Sequence, residues 1–365
     1  MAKLHSCFVG VFILLMSMAV SCSRREAAMD SFNRGVGAFD EGDYDLAITC
    51  FTEAIRLDPT DADAYYNRGN AYLGQGEFDN AITDYNEAIR LDPTDAMAYA
   101  NRAVAYGNQG EWDKAIAECS TAIRLDPKLA IAYCNRGEVY VDTGEFDKAI
   151  ADCNEAIRLD PKLAIAYCNR GVAYVDTGEF DRAIADCNEA IRLDPEYALA
   201  YFNRGGAYVN TGEFDKAIAD CNEAIRLDPT DAMTYVNRAV AYAKKEDHDR
   251  AIADFTEAVR LDPKLAGAYN NRGNTYHAKG EFDKAIADYN EAIRLNPQFA
   301  EAHYGRGNAY YSKGDFDKAI GDYTEAINLA PDLPQPYSGR AKAYRALGNE
   351  EKAAADKHKA KELSK

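Results

Sequence analysis

Residues 62–95 read ADAYYNRGNAYLGQGEFDNAITDYNEAIRLDPTD, and from Ala28 to Leu333 these 34 positions are written nine times without an insertion. A tenth, degraded copy occupies residues 334–365. Within the quoted copy Ala64, Tyr65, Gly69 and Tyr72 recur at helical spacing, Gly76 interrupts, and Phe78, Ala81, Ile82, Tyr85, Ala88 and Ile89 form a second apolar face. The spacing predicts two antiparallel helices per unit, with Gly76 at the helix C-terminus and Pro93 ending the second helix. Gly69 and Ala81 let the paired helices approach, and an aromatic ring fills the volume between neighbouring pairs. Each hairpin leaves an apolar side that only the next one covers, so the chain reads as a stacked all-α array.

Length and charge agree with this. No Gly/Ser or Pro-rich linker divides the 365 residues, so the array is expected to form one extended domain. A formal charge of −18 argues against a nucleic-acid backbone as partner.

Ahead of the repeats, Lys3 precedes an apolar run from Phe8 to Val20. Thirteen helical residues reach about 20 Å, short of the roughly 30 Å hydrocarbon core, so residues 1–21 are read as a signal peptide rather than a spanning helix. The segment Ala19-Val20-Ser21-Cys22 resembles the lipobox of bacterial lipoproteins, although Leu is usual where Ala19 stands. That resemblance implies acylation of Cys22, a tether over residues 22–27, and a lipid-anchored place in the bacterial cell envelope. Ser23 after the Cys implies the outer membrane; secretion or a periplasmic location is the alternative.

Within the units, Tyr65, Gly69, Tyr72, Gly76, Ala81, Tyr85, Ala88 and Pro93 resemble the pattern of the tetratricopeptide repeat (TPR), and Tyr167, Gly171, Tyr174, Gly178, Ala183, Cys187, Ala190 and Pro195 repeat it. The resemblance implies a TPR α-solenoid: a right-handed superhelix of stacked antiparallel helix pairs whose first helices line a concave surface that holds extended peptides or partner helices. It implies no reaction.

Two ladders depart from the family pattern or add to it. An Arg stands before the small residue in every unit, from Arg34 through Arg68 and Arg238 to Arg340, and sixteen positions later comes an acid, from Asp84 to Asp356, except that Cys50 follows Arg34. A hairpin turn midway makes Arg68 with Asp84 a plausible pair, and we read the series as an ion-pair ladder that stabilises and orients the stack over a ligand site. The second ladder, Asn33, Asn67, Asn101, Asn135, Asn169, Asn203, Asn237 and Asn271, ends at Gly305 and Gly339. A row of amides can satisfy both N–H and C=O of an extended peptide. It resembles the asparagine ladder in the peptide-binding superhelix of protein O-GlcNAc transferases, whose catalytic domain has no counterpart in this sequence. Helical spacing places Ile131, Cys134, Ile165, Cys168, Val172, Leu199, Phe202, Met233 and Val236 beside the ladder as an apolar groove.

Cys119, Cys153, Cys187 and Cys221 occupy the register of the aromatic Tyr85 and are read as small core residues, as is Trp112 in the register of Phe78. No CxxC pair or close His/Cys cluster offers a zinc site, and no cofactor or nucleic acid is expected. The Ala- and Lys-rich residues 353–365 read as a terminal cap. The sequence thus points to a noncatalytic envelope scaffold or adaptor for a protein or peptide, the alternatives being an accessory subunit presenting substrates to a separate enzyme or a self-associating structural protein.

Overall fold

A computed structural model describes residues 24–364. The leader and Cys22 lie outside the described residues. Residues 24–40 are helical, nineteen further helices run from Tyr44–Leu57 to Glu350–Leu363, and no strand occurs among the described residues. None of these helices is long and apolar enough to cross a membrane.

The quoted stretch forms helices Ala62–Gly74 and Phe78–Leu91, and the next unit forms Ala96–Asn108 and Trp112–Leu125. Gly76 closes the turn at φ +75°, with its N–H donating to the Leu73 carbonyl at 3.0 Å and the Glu77 N–H to the Tyr72 carbonyl at 2.9 Å. These bonds satisfy carbonyls that a helix end would otherwise leave open. One unit puts Glu246 in the same left-handed position, at φ 61°. A side chain there is disfavoured by roughly 1–2 kcal/mol. After the larger unfolded-state entropy of glycine is subtracted, Glu246→Gly is expected to stabilise the protein by up to about 1 kcal/mol in chemical denaturation.

Between units the Asp-Pro dipeptide has two jobs. The residue before proline is held extended, as at Asp92 (φ −128°, ψ 92°), which ends the second helix. Its carboxylate then accepts from the Thr94 N–H at 2.9 Å, fixing the entry to the next helix. Asn296 keeps the acceptor, bonding the Gln298 N–H at 3.0 Å, whereas Ala330 cannot.

The described helices fall into two compact bodies that divide between Thr177 and Gly178. Inside each body the first helices of successive units touch one another, while successive second helices do not. The first helices therefore form the inner side of the curve in each body. Small residues permit that crowding: Ala64, Ala71, Ala81 and Ala98 are fully buried. A Cβ on Gly69 would lie 2.9 Å from the Tyr85 ring, so the close approach inferred from sequence is enforced by that ring. Tyr289 is wedged on both sides, 2.9 Å from a would-be Cβ on Gly273 of its own hairpin and 2.6 Å from one on Gly305 of the next. In the middle units the ring is replaced by Cys119, Cys153, Cys187 and Cys221, all fully buried, and burial pushes the Cys119 and Cys221 thiols up to about 12. All four are packing residues, with Cys119 and Cys221 held as neutral thiols. The last unit, despite its degraded sequence, still forms a hairpin from Pro334–Ala346 and Glu350–Leu363, with Ala353 and Ala360 buried in it.

Candidate functional site on the first-helix face

From Arg68 to Arg340 the arginine ladder lies within the stack, whereas Arg34 is exposed. Arg68 grips Asp84 with two parallel bonds of 2.7 Å, Nε to Oδ2 and Nη2 to Oδ1, and its Nη1 reaches back 3.0 Å to Thr52 Oγ1 of the preceding unit. Arg238 repeats this with Asp254 at 2.7 Å twice and Asn222 at 2.7 Å. Most of these guanidiniums also stand over a tyrosine ring, as Arg102 over Tyr99 at 5.3 Å. The Arg side chain is only 17 % exposed at Arg68 and 18 % at Arg238, so the pair is largely desolvated. The backward bond to a Thr, Ser or Asn sixteen residues earlier ties unit to unit. Sequence reasoning missed it, although Thr52, Asn86, Ser120 and Asn154 repeat every 34 residues.

Asparagines of the second ladder take up different positions. Asn67 is half-buried and donates back to the Asp63 carbonyl at 2.8 Å. Asn101 donates to Tyr66 Oη at 3.0 Å and Asn70 Oδ1 at 2.9 Å, joining a cluster in which the Tyr85 hydroxyl also donates to Asn70. Asn135 and Asn169 are buried, 7 % and 6 % exposed, with Nδ2 turned to the Ala100 carbonyl at 3.3 Å and to Cys134 Sγ at 3.7 Å. Asn203, Asn237 and Asn271 are half-buried. Beside Tyr289 and Tyr323 the next unit carries Gly305 and Gly339, where a Cβ would lie 2.6 and 2.7 Å from the ring. Ring or thiol at that position does not by itself set the depth of the amide: Asn101 follows Tyr85 and is half-buried, and after thiols Asn135 and Asn169 sink in while Asn203 and Asn237 stay half-buried.

Of the apolar groove, Leu199 and Met233 are 43 % exposed, while Ile131, Ile165, Val172, Phe202 and Val236 are half-buried. Cys134 and Cys168, which helical spacing placed on the groove border, are fully buried; Cys134 packs against Ala156 and Ala166 beneath Ile131 and Ile165.

Three recesses open on this face at one register of the repeat, between the first helices of consecutive units. In the N-terminal body, a cavity of about 280 Å³ is walled by Val104, Asn108 and Trp112 of one unit and Asn135, Glu138 and Asp142 of the next. In the C-terminal body, a cavity of about 300 Å³ is walled at the same positions by Val240, Lys244 and His248 and by Asn271, Asn274 and Ala278. A third, also about 300 Å³, has Asn308, Tyr311, Gly339 and Lys342. The ladder position thus lines every one of the three, while the side chains around it change. Glu138 is exposed but stands where protein crowds it; that desolvation, and then the Asp142 charge, raise its pKa against a smaller pull from the Asn169 amide. Desolvation likewise raises the pKa of Asp142.

Among family models, that of the TPR repeat matches residues 108–144, 137–178, 241–280, 273–314 and 307–348. Two further models of the tetratricopeptide repeat match 32–96 and 168–232, and 84–117 and 221–253, so that together the matches run from residue 32 to 348. No curated protein sequence matches the chain. Among solved structures, the anaphase-promoting-complex hetero-tetramer Cut9–Hcn1 is similar over 92 % of this chain and 87 % of that one, at 16 % identity and a TM-score of 0.57. A tetratricopeptide repeat protein from Parabacteroides merdae is similar over 68 % of this chain and 99 % of its own, at 21 % identity and a TM-score of 0.53. YrrB, a TPR protein described as having an unusual peptide-binding site, is 26 % identical over 54 % of this chain and 97 % of its own, with a TM-score of 0.41.

Proposed function

The chain belongs to the tetratricopeptide repeat family, and we propose that it is a noncatalytic adaptor that holds an extended polypeptide against its first-helix face. The observation that carries this reading is the recurrence of recesses at one register with walls that change from acidic at Glu138 to amide at Asn274 and basic at Lys342. Packed helices stand about 8–10 Å apart. An extended ligand advancing about 3.3 Å per residue would present roughly one side chain in three to successive recesses. Half-buried ladder amides, Asn67, Asn101, Asn203, Asn237 and Asn271, supply polar contact for its backbone, and Met97, Ile131 and Ile165 in one body and Leu199 and Met233 in the other supply apolar contact. Asn135 and Asn169 serve mainly by joining units.

The adaptor reading is tested by selecting peptides from a displayed random library on the full chain and titrating a selected peptide calorimetrically. Val172→Lys with Val240→Lys should weaken binding at least about tenfold, a loss of roughly 1.4 kcal/mol. Lys148→Ala, on the exposed second-helix side, should leave it unchanged. Equal binding by the first-helix variant would reject the reading.

The same proposal places the protein in a bacterial envelope, lipid-anchored through Cys22, on the strength of the lipobox-like segment. Two or more acyl chains are enough for stable anchoring. Metabolic labelling with a fatty-acid analogue in a bacterial host should mark the wild type and not Cys22→Ala; equal labelling of both would exclude Cys22 as acceptor.

A further inference from the structure

We propose that the recess walled by Trp112, Glu138 and Asp142 is a subsite for one cationic side chain of the bound polypeptide, arginine before lysine. The inference rests on the adaptor reading and specifies what one of its recesses selects. Glu138 and Asp142 are one helical turn apart, so their carboxylates share a face, and like charges so placed oppose the helix that carries them. No basic residue lines the recess to offset them. Asn108 donates its Nδ2 to the Val104 carbonyl at 2.9 Å, leaving its own carbonyl oxygen as a third acceptor at the rim. Opposite stands the only tryptophan of the chain, half-buried against Ala103, Ala115 and Val139 and thus held rigid.

An indole face beside two unneutralised carboxylates is suited to a flat, weakly hydrated cation that can stack and donate several hydrogen bonds at once. Guanidinium meets each requirement, and an ammonium meets only the charge. The size agrees: about 280 Å³ has room for one long side chain. A divalent ion is a poorer occupant, since it seeks six or more oxygens and no group of three or more acidic, His or Cys side chains that could hold one occurs among the described residues. The pairing of two carboxylates one turn apart with an indole is peculiar to this recess: Asp176 repeats Asp142 in the next unit, but the neighbouring units carry Val104 and Val172 where Glu138 stands, and the recess of the C-terminal body has Lys244, His248, Asn274 and Ala278. Raised pKa values at both carboxylates fit a pair awaiting a counter-charge.

Trp112 supplies the readout. The full chain is titrated with acetyl-Ser-Gly-Arg-Gly-Ser-amide, with the isosteric citrulline peptide, and with acetyl-arginine-amide, while indole emission is followed. The arginine peptide should give a saturable change with affinity at least tenfold above the citrulline peptide and above acetyl-arginine-amide. Glu138→Gln with Asp142→Asn should abolish the preference for arginine while circular dichroism stays that of the wild type. Equal binding of the arginine and citrulline peptides would overturn the cation subsite and leave the adaptor reading intact. Equal binding of acetyl-arginine-amide would make this a small-cation site and overturn the assignment to a polypeptide side chain. No saturable change with any probe would overturn the subsite, and the adaptor reading would then stand or fall on the library-selected peptide.

Discussion

Arg238→Ala is expected to destabilise the protein by on the order of 3 kcal/mol, because it leaves the largely desolvated carboxylate of Asp254 without its charge partner. The same change removes the bond to Asn222, so one substitution loosens both the hairpin and its junction with the preceding unit. In an array stabilised by nearest-neighbour contacts, the loss should appear as a lower denaturation midpoint with reduced cooperativity, the units after the break separating from those before it. Arg238→Met combined with Asp254→Leu should recover most of the stability, since removing both charges also removes the desolvation cost. Urea titration of the single and double variants checks this; equal losses in both would show that packing, and not the orphaned charge, dominates.

Tyr289→Ala should cost about 3–5 kcal/mol by cavity formation, the usual range for removing a buried ring. The ring is 1 % exposed, its hydroxyl donates to Asn274 Oδ1 at 2.8 Å, and glycines flank it on either side. Gly273 and Gly305 have no side chains that could move into the space, so little relaxation is available. The effect is measured by chemical denaturation, and a loss below about 1 kcal/mol would mean that the adjoining hairpins close over the gap.

The 34-residue period made the hairpin architecture legible because each helix carries its own apolar stripe and each turn its own glycine or proline. Pairing of Arg68 with Asp84 was legible for the same reason: a fixed offset of sixteen across a known turn leaves few geometries. The bond from Arg68 back to Thr52 was not, since it depends on how one hairpin docks on the next, which no local pattern encodes. The asparagine ladder shows the limit more sharply. Its residues occupy the expected helix face, but whether an amide is reachable depends on how one hairpin packs on the next, which the register does not encode: after a thiol it sinks between units at Asn135 and Asn169 and stays half-buried at Asn203 and Asn237. Cys134 and Cys168 were likewise placed on the groove by helical spacing and are covered by the neighbouring hairpin, because spacing describes one helix and not its partner. The acidic recess announced itself only through Glu138, which with Lys342 departs from a register otherwise filled by Val, Asn or Gly, and its meaning required Trp112 of the preceding unit.

The central claim is that the first-helix face is where a polypeptide docks, and site-specific photo-crosslinking tests it most directly. A benzophenone side chain is introduced at Val104 and, separately, at Asn274 on that face, and at Lys148 and Lys284 on the exposed second-helix side, and each full-length variant is irradiated with the library-selected peptide. The account predicts covalent adducts from positions 104 and 274 that excess unlabelled peptide suppresses, and none from 148 or 284. Adducts formed only at 148 or 284 would contradict it.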